Sequence, residues 1–585
     1  MKTVGTYGMI LLVALLLSLQ IMACSSDEDT PPVENTSEAT PTITSDPWTG
    51  NPTVKTNYGS VKGFPDESET WVWKAIPFAK SPVGELRWKA PRDPDPWEGV
   101  MEKTEFCSPC MQYNALGGRS MLGSEDCLYL NVWRPQSEES ALPVYVWIHG
   151  GGNSSGSAAY IPTYYGTNVA HKSDMVYVSV NYRLGPLGWF THPALRNGDP
   201  DDDSGNYGTL DLIQALEWIR DNIAAFGGDP DRVTITGESA GAMNVLSLII
   251  SPRAKGLFHR AVVQSGQAVA IPVADGEASA EEVLLKLSMN DGSAADRNAA
   301  EFWIEHKSIA DIAAYARAKT AEEIFACYES MGFGMILFPF IFEDGTVIAE
   351  AGFDSLATGT YPNKVPIIIG STKEEIKIFM FMDPSFSGKD ELYQTVSTYG
   401  SAFWKADGVD RVARDMSAHE GQPGIYVYQF NWGSYEPGKT SPLPAPWDLK
   451  LGACHSLDVP FFLGSDVFNG PMTDWVFTEE NRAAREALSD AMMTYVAQFA
   501  RTGNPNAKKS DLPEWQPWTN GADEPKCILF DADGDQPDIE MSNEEITPAG
   551  LLADMQASVP EPLYSQVLDS LRSMPTVSHL LEKGN

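Results

Sequence analysis

Apolar runs bounded by glycine and proline alternate along this chain with longer stretches of helical spacing. Residues 144–148, 175–180, 233–236, 261–263 and 366–369 are short, continuous and rich in Val and Ile. That pattern marks strands buried on both faces. Between them, residues 210–226 carry Leu212, Ile213, Leu216 and Ile219 at helical spacing, and residues 240–250 form a proline-free helical run. Strand, helix, strand in this order predicts an α/β fold, a largely parallel sheet covered by helices. In such sheets ligands gather at the carboxyl ends of the strands. Residues 275–335 lack a strand rhythm and read as helices, either a cap or side wall or plain scaffold. No internal repeat is evident.

The amino end follows a different rule. Lys2 supplies a positive start and residues 9–17 are apolar, a run too short to span a bilayer. Ile21-Met-Ala-Cys24 then resembles a bacterial lipoprotein signal, with Cys24 as the lipidated first residue of the mature chain. Ordinary signal cleavage, giving a secreted soluble protein, is the alternative. Residues 25–49 are mostly Ser, Thr, Pro, Asp and Glu, without Lys or Arg, a composition that reads as a flexible tether. The expected organisation is a signal over residues 1–23, a tether over 24–50 and one folded domain over 51–585. Membrane contact is expected through the lipid anchor alone, in the cell envelope.

Composition narrows the function. The 585 residues are 43% hydrophobic and 21% charged, with a formal net charge of −38. A surface this acidic repels phosphate backbones, so nucleic acid is not an expected partner. The run Asp531-Ala-Asp-Gly-Asp535 invites a calcium reading, but no Glu completes the twelve-residue loop pattern, and a solvated turn is the plainer reading. An exported chain permits disulfides. With Cys24 lipidated, Cys107, Cys110, Cys127, Cys327, Cys454 and Cys527 remain to be assigned; spacing alone does not pair them.

Two segments match G-x-S-x-G: Gly152-Asn-Ser154-Ser-Gly156 and Gly237-Glu-Ser239-Ala-Gly241. A serine nucleophile on a sharp turn needs a strand running in, a helix running out and tiny residues two positions either side. Ser239 meets each requirement and opens a helix, whose N-terminus favours developing negative charge. Ser154 follows three glycines and precedes no helical start, so Ser239 is the expected nucleophile. The glycines after His149 then gain a different use. Glycine admits backbone angles that aim bare N–H groups into a site. Gly151 and Gly152, with Ala240 from the elbow, are the expected donors to an oxyanion.

The chain order nucleophile, acid, histidine discards His149, His171 and His192. His419 lies in a polar run and His579 in the terminal tail. His455, in the small-residue segment Gly452-Ala-Cys-His455, is favoured as general base. For the acid, the strand at 366–369 ends at Gly370 and Ser-Thr-Lys-Glu374-Glu375 follows. Neighbouring side chains diverge, so one of the two glutamates is expected to face the site, and the pattern does not choose between them.

These residues resemble the type-B carboxylesterases, the α/β-hydrolase group that includes cholinesterase-like and para-nitrobenzyl esterases. The resemblance spans nearly everything after residue 50. It rests on Val54 to Gly63 as an opening hairpin, Ala75-Ile-Pro-Phe-Ala79, Pro82 to Trp88 and Ser124-Glu-Asp-Cys-Leu-Tyr-Leu-Asn131. It continues in His149-Gly-Gly-Gly152, Asn181 to Gly188, Phe226 to Pro230 and Gly237-Glu-Ser-Ala-Gly-Ala242. It implies Ser239 as nucleophile, Glu375 as acid, His455 as base, Ser265 as a supporting serine and a Cys110–Cys127 disulfide. A 17-residue loop closed this way is worth about 3 kcal/mol. Four positions depart from the family pattern. Asn153 and Ser154 replace an aromatic after the glycines, Ile376 replaces the glycine after the acid, and Leu212 replaces a common glutamine. The expected activity is hydrolysis of a small carboxylic ester through an acyl-enzyme, which calls for no metal or cofactor. Lipase, thioesterase or amidase chemistry on the same residues, and a non-catalytic binding protein on the same fold, are the competing readings.

Overall fold

Eleven strands form the sheet on which the site is built. From edge to edge they are Gln536–Ser542, Cys527–Asp533, Ile425–Phe430, Ile367–Thr372, Arg260–Gln264, Gly228–Glu238, Leu142–Ile148, Val176–Val180, Tyr129–Pro135, Thr70–Pro77 and Phe64–Asp66. The strands from Cys527–Asp533 through Val176–Val180 are mutually parallel. Antiparallel pairs close both edges. Val144, Val146, Val178, Ile235, Val263 and Ile369 are all fully buried, which is why the central strands read as unbroken apolar runs. The computed structural model describes residues 47–581 other than 116–117, 160, 439, 509, 576 and 579–580. The described residues gather into one compact unit. Cys24, the segment before it, most of the tether and His579 lie outside them; at the tether's described end Trp48 is buried in the core against Trp73, so the packed chain starts before residue 51.

Register brings the chemistry to one end of the sheet. Gly237 pairs with Ile148, Glu238 with Gln264, and Gln264 with Gly370. The loops carrying the glycine run and Ser265 therefore leave nearly level strand ends, while the strand leading to the two glutamates runs two residues further, to Thr372. The elbow of Ser239 turns between them.

Several local expectations are corrected. The helix over 210–226 is Tyr207–Asn222 followed by a tighter turn, Ile223–Phe226, stopped by Gly227 at φ 79°. The strand expected to end at Gly370 continues to Thr372, because Ser371 and Thr372 stay paired with Gln429 and Phe430. Residues 275–335 hold helices Val273–Asn290, Arg297–Glu305, Ile309–Ala318 and Ala321–Phe325, then a hairpin of Glu329–Gly332 and Met335–Leu337. Gly332, Phe333 and Gly334 all have positive φ, between 50° and 87°, a left-handed run that no helix accepts. The acidic run at 531–535 is the tip of a hairpin in which Asp533 pairs with Gln536.

Cys110 and Cys127 are joined by a disulfide. The other four described cysteines are free thiols, and burial pushes Cys107 and Cys527 up to about 12. The two faces of the sheet carry the two main cores. A third core lies around helix Asp390–Lys405, covered by the C-terminal helices Pro548–Ser558 and Leu563–Arg572.

Candidate active site

The elbow is built by steric exclusion. Ser239 has φ 58° and ψ −125°, a conformation that costs a non-glycine residue about 1–3 kcal/mol. Its N–H donates to the Gln264 carbonyl at 2.9 Å, and its carbonyl accepts from Met243 N–H at 3.0 Å. A β-carbon on Gly237 would lie 2.4 Å from the Gly241 carbonyl carbon, and one on Gly241 would lie 2.1 Å from the Ile148 oxygen. Strand and helix cross at atomic contact, and only glycine fits at either position. Ser239 itself is half-buried, at the start of helix Ala240–Ile250.

The glycine run folds back on itself beside this turn. Gly151 and Gly152 have φ of 105° and 60°. The Gly151 carbonyl accepts from Ser154 N–H at 3.1 Å and Ser155 N–H at 2.9 Å. Among the described residues, the N–H groups of Gly151, Gly152 and Ala240 donate to no protein acceptor. A β-carbon on Gly150 would sit 3.1 Å from Ser239 Cβ, so this loop lies directly against the elbow. His149 is buried and uncharged, its pKa lowered to about 4 by burial. Its Nδ1 lies 2.8 Å from the Gly150 carbonyl, and its ring stacks on Tyr182 at 4.5 Å. Gly156, the last glycine of the first G-x-S-x-G match, is there for packing: a β-carbon would lie 2.5 Å from His149 Nδ1.

Glu375 and His455 meet side chain to side chain. His455 Nδ1 lies 2.5 Å from Glu375 Oε2. The other carboxylate oxygen accepts from Ser265 Oγ at 2.5 Å and Thr372 N–H at 2.7 Å. Of the two glutamates, Glu375 therefore faces the imidazole. On the far side of the ring, His455 Nε2 lies 3.0 Å from Glu238 Oε1 but is not aligned for a hydrogen bond to it. Glu238 instead accepts from Ser456 Oγ at 2.6 Å. Burial opposes the imidazolium, but the charges of Glu238 and Glu375 outweigh it and raise His455 to about 9. Burial also raises Glu238, and together with the neighbouring carboxylates it lifts Asp458, bonded to the Tyr428 hydroxyl at 2.6 Å, to about 7.

The Carboxylesterase family model matches residues 50–407 and 385–546. The para-nitrobenzyl esterase of Bacillus subtilis is 31% identical over 486 residues, 79% of this chain and 92% of that protein. The medium-chain fatty acyl-CoA hydrolase precursor of Anas platyrhynchos is 34% identical over 518 residues, covering 78% and 85%. A solved carboxylesterase of Geobacillus stearothermophilus superposes with a TM-score of 0.64 at 32% identity, covering 84% of this chain and 98% of its own. The chain belongs to the carboxylesterase family. It is a carboxylic ester hydrolase with the α/β-hydrolase fold.

All four departures from the carboxylesterase pattern are buried, Leu212 in the core on helix Tyr207–Asn222. Asn153 and Ser154 are fully buried. Asn153 Oδ1 accepts from Asn244 Nδ2 at 2.8 Å, and Ser154 Oγ accepts from Ile336 N–H at 3.1 Å. The Asn153 and Ser154 side chains tie the glycine loop to its neighbours, while the buried Asn153 Nδ2 has no hydrogen-bond partner among the described residues. Met335, from the unexpected hairpin, reaches the loop instead: a β-carbon on Gly152 would lie 2.9 Å from its sulfur. Ile376 is fully buried against Gly400, where a β-carbon would lie 2.2 Å from Ile376 Cδ1. Ile376 fills the space that any side chain at Gly400 would need.

Sequence reasoning missed Glu238, Trp404 and Phe379, and it offered Glu374 only as a possible acid. Glu238 closes a strand whose last six residues, Val233–Glu238, are buried; a carboxylate at the end of the apolar run 233–236 is the sequence signal for it. Glu374 turns away from the imidazole and holds the histidine loop. Its Oε2 accepts from Ala453 N–H at 3.0 Å and Tyr435 N–H at 3.1 Å, and its Oε1 pairs with buried Lys377 at 2.7 Å. Trp404 and Phe379 flank the imidazole with ring centroids 5.2 Å and 5.3 Å away. No sequence spacing joins them to His455.

Proposed function

We propose that this carboxylesterase works through an acyl-enzyme on Ser239, with His455 as general base and acid and Glu375 as the group that orients it. The Ser239 hydroxyl attacks the ester carbonyl and gives its proton to His455 Nε2. The carbonyl oxygen, now negative, takes N–H donors from Gly151, Gly152 and Ala240, none of which has a competing acceptor among the described residues. Collapse of the tetrahedral centre expels the alcohol, which takes the proton back from His455. Water repeats the sequence and frees the acid. The observation that carries this reading is the Glu375–His455 contact at 2.5 Å, which leaves Nε2 without a well-aligned partner on the elbow side. Ser239→Ala, assayed on short nitrophenyl esters, tests it: loss of at least about 10³ in kcat supports the assignment, and retained turnover removes it. A fluorophosphonate should label Ser239 in the folded wild type and not the variant.

The acyl group and leaving group form a second question. The duck relative is named for hydrolysis of fatty acyl-CoA, and the same attack cleaves a thioester. Matched oxygen esters, thioesters and anilides over a series of chain lengths separate the classes by kcat/KM.

We also propose that the protein is held in the cell envelope by a lipid on Cys24. Supporting this are Lys2, the short apolar run at 9–17 and Ile21-Met-Ala-Cys24. An alkyne fatty acid fed to expressing cells should label the wild type and not Cys24→Ser. Label retained in that variant, or secretion of unlabelled wild type, would sink the anchor.

A further inference from the structure

The two C-terminal helices lie beyond residue 546, where the family match stops, yet they rest against elements that hold the site. Helix Asp390–Lys405 lies between the two. One of its sides carries Trp404 to the imidazole. Trp404 itself belongs to the core that covers this helix, together with Ile376, Val396, Tyr399 and Phe403 and with Met555, Val567, Leu571 and Val577, the last four fully buried. Two side chains meet over Gly400: a β-carbon there would lie 2.2 Å from Ile376 Cδ1 and 3.1 Å from Leu571 Cδ2. Ile376 follows the acid directly, and its N–H donates to Ser401 Oγ at 3.3 Å. From Leu571 to the backbone of Glu375 the path is continuous packing.

A second path reaches the same carboxylate. Tyr399 donates its hydroxyl to Asp554 Oδ2 at 2.7 Å, bolting the helix to Pro548–Ser558. The helix continues into a wide π turn, Ala406–Arg411. There buried Lys405 and Asp410 pair at 2.6 Å, and Asp410 also accepts from Ile546 N–H at 2.7 Å, at the start of the C-terminal segment. Within that turn a β-carbon on Gly408 would lie 2.3 Å from the Gly266 carbonyl oxygen. Gly266 follows Ser265, which bonds Glu375. Single-turn π insertions recur at functional sites, and this one joins the C-terminal segment to the serine behind the acid.

We propose that the C-terminal helical pair is a positioning clamp for Glu375 and Trp404, with Leu571, Gly400 and Tyr399 as its positioning residues. The proposal rests on the assignment of Glu375 as the acid. Interior packing transmits displacement instead of absorbing it, and misplacing a catalytic group by about 1 Å costs about a hundredfold in rate. The clamp therefore acts on kcat and leaves ester binding unchanged.

The test uses the full-length chain with a short nitrophenyl ester as substrate. Leu571→Ala is expected to lower kcat about tenfold with KM unchanged and to move the pH limb of kcat/KM, because the Glu375–His455 pair loosens. Gly400→Ala should do the same by displacing Ile376, and Gly400→Ala combined with Ile376→Ala should recover most of the loss. A lower unfolding temperature with wild-type kcat and pH limb in the Leu571 variant would overturn the clamp, as would failure of the double variant to recover. If Leu571→Ala does not fold, Tyr399→Phe removes one hydroxyl only and should still lower kcat, by about threefold; an unchanged kcat there also overturns the proposal. Fluorophosphonate titration of Ser239 runs alongside. Full labelling with unaffected turnover in the clamp variants refutes the clamp alone, whereas wild-type turnover in Ser239→Ala refutes the underlying mechanism.

Discussion

Glu238 Oε1 lies 3.0 Å from Nε2 of His455, on the side of the ring opposite Glu375. One imidazole is thus held between two buried carboxylates, and the pair of them favours its charged form. His455 is raised to about 9, above the ordinary value near 6.5. A general base must be neutral, so kcat/KM should climb with pH through about 9 rather than through the ordinary histidine range. Stability runs the other way. A raised histidine stabilises the fold fully below its unfolded value and loses that contribution as pH rises through about 9. Glu238→Gln removes one charge and should bring the kinetic limb down by about 1–3 units. A limb that stays in place would show that Glu238 does not act on the free base.

The two G-x-S-x-G matches should respond in opposite ways. Ser154→Ala deletes the acceptor for Ile336 N–H and leaves a buried donor unsatisfied, which costs about 1–3 kcal/mol of stability. Its kcat should remain within about threefold of wild type, since Ser154 Oγ is spent on that contact. Urea unfolding and ester turnover on the same preparation check both halves. A loss of turnover as deep as that of Ser239→Ala would mean that the glycine loop, not the elbow, carries the nucleophile.

What was legible in the sequence was local. Ser239 could be read because strand, turn and helix are contiguous and because Gly237 and Gly241 sit where packing tolerates nothing larger. The parallel sheet could be read because strands buried on both faces leave unbroken apolar runs. The hairpin at 329–337 was hidden because its first strand is exposed and carries no alternation, only the glycines of its turn. Glu374 and Glu375 were indistinguishable on the page of residues, since their difference is which way the chain turns after Thr372. Trp404 and Glu238 approach His455 through tertiary folding alone, with no spacing to announce it.

Removing Glu374 should separate stability from catalysis. Glu374→Leu leaves the Lys377 ammonium unpaired in a fully buried position, a change worth about 3–5 kcal/mol. Glu374→Leu with Lys377→Met removes both charges and should regain most of that. The double variant still lacks the acceptor for Ala453 N–H and Tyr435 N–H, so the loop that carries His455 stays loose and kcat stays low. Thermal unfolding and kcat measured on the three proteins decide it; a double variant with wild-type kcat would show that the carboxylate serves the fold only.

The Cys110–Cys127 disulfide reaches the oxyanion loop through one side chain. Gln112 follows Cys110 by two positions, its Nε2 donates to the Gly156 carbonyl at 2.7 Å, and its Oε1 accepts from Gly156 N–H at 2.8 Å. The cross-link spans a sequence separation of 17, so replacing both cysteines by alanine should cost about 3 kcal/mol. Loosening that loop also frees Gln112, and with it the segment that returns from Gly156 to His149. We expect kcat to fall several-fold while KM holds, because the N–H groups of Gly151 and Gly152 engage the oxyanion more than the ground-state ester. Gln112→Ala in the oxidised protein isolates the second effect: it should reproduce the loss in kcat with the disulfide intact and most of the stability retained. If the cysteine variant loses stability but keeps kcat, the disulfide staples the fold without reaching the chemistry.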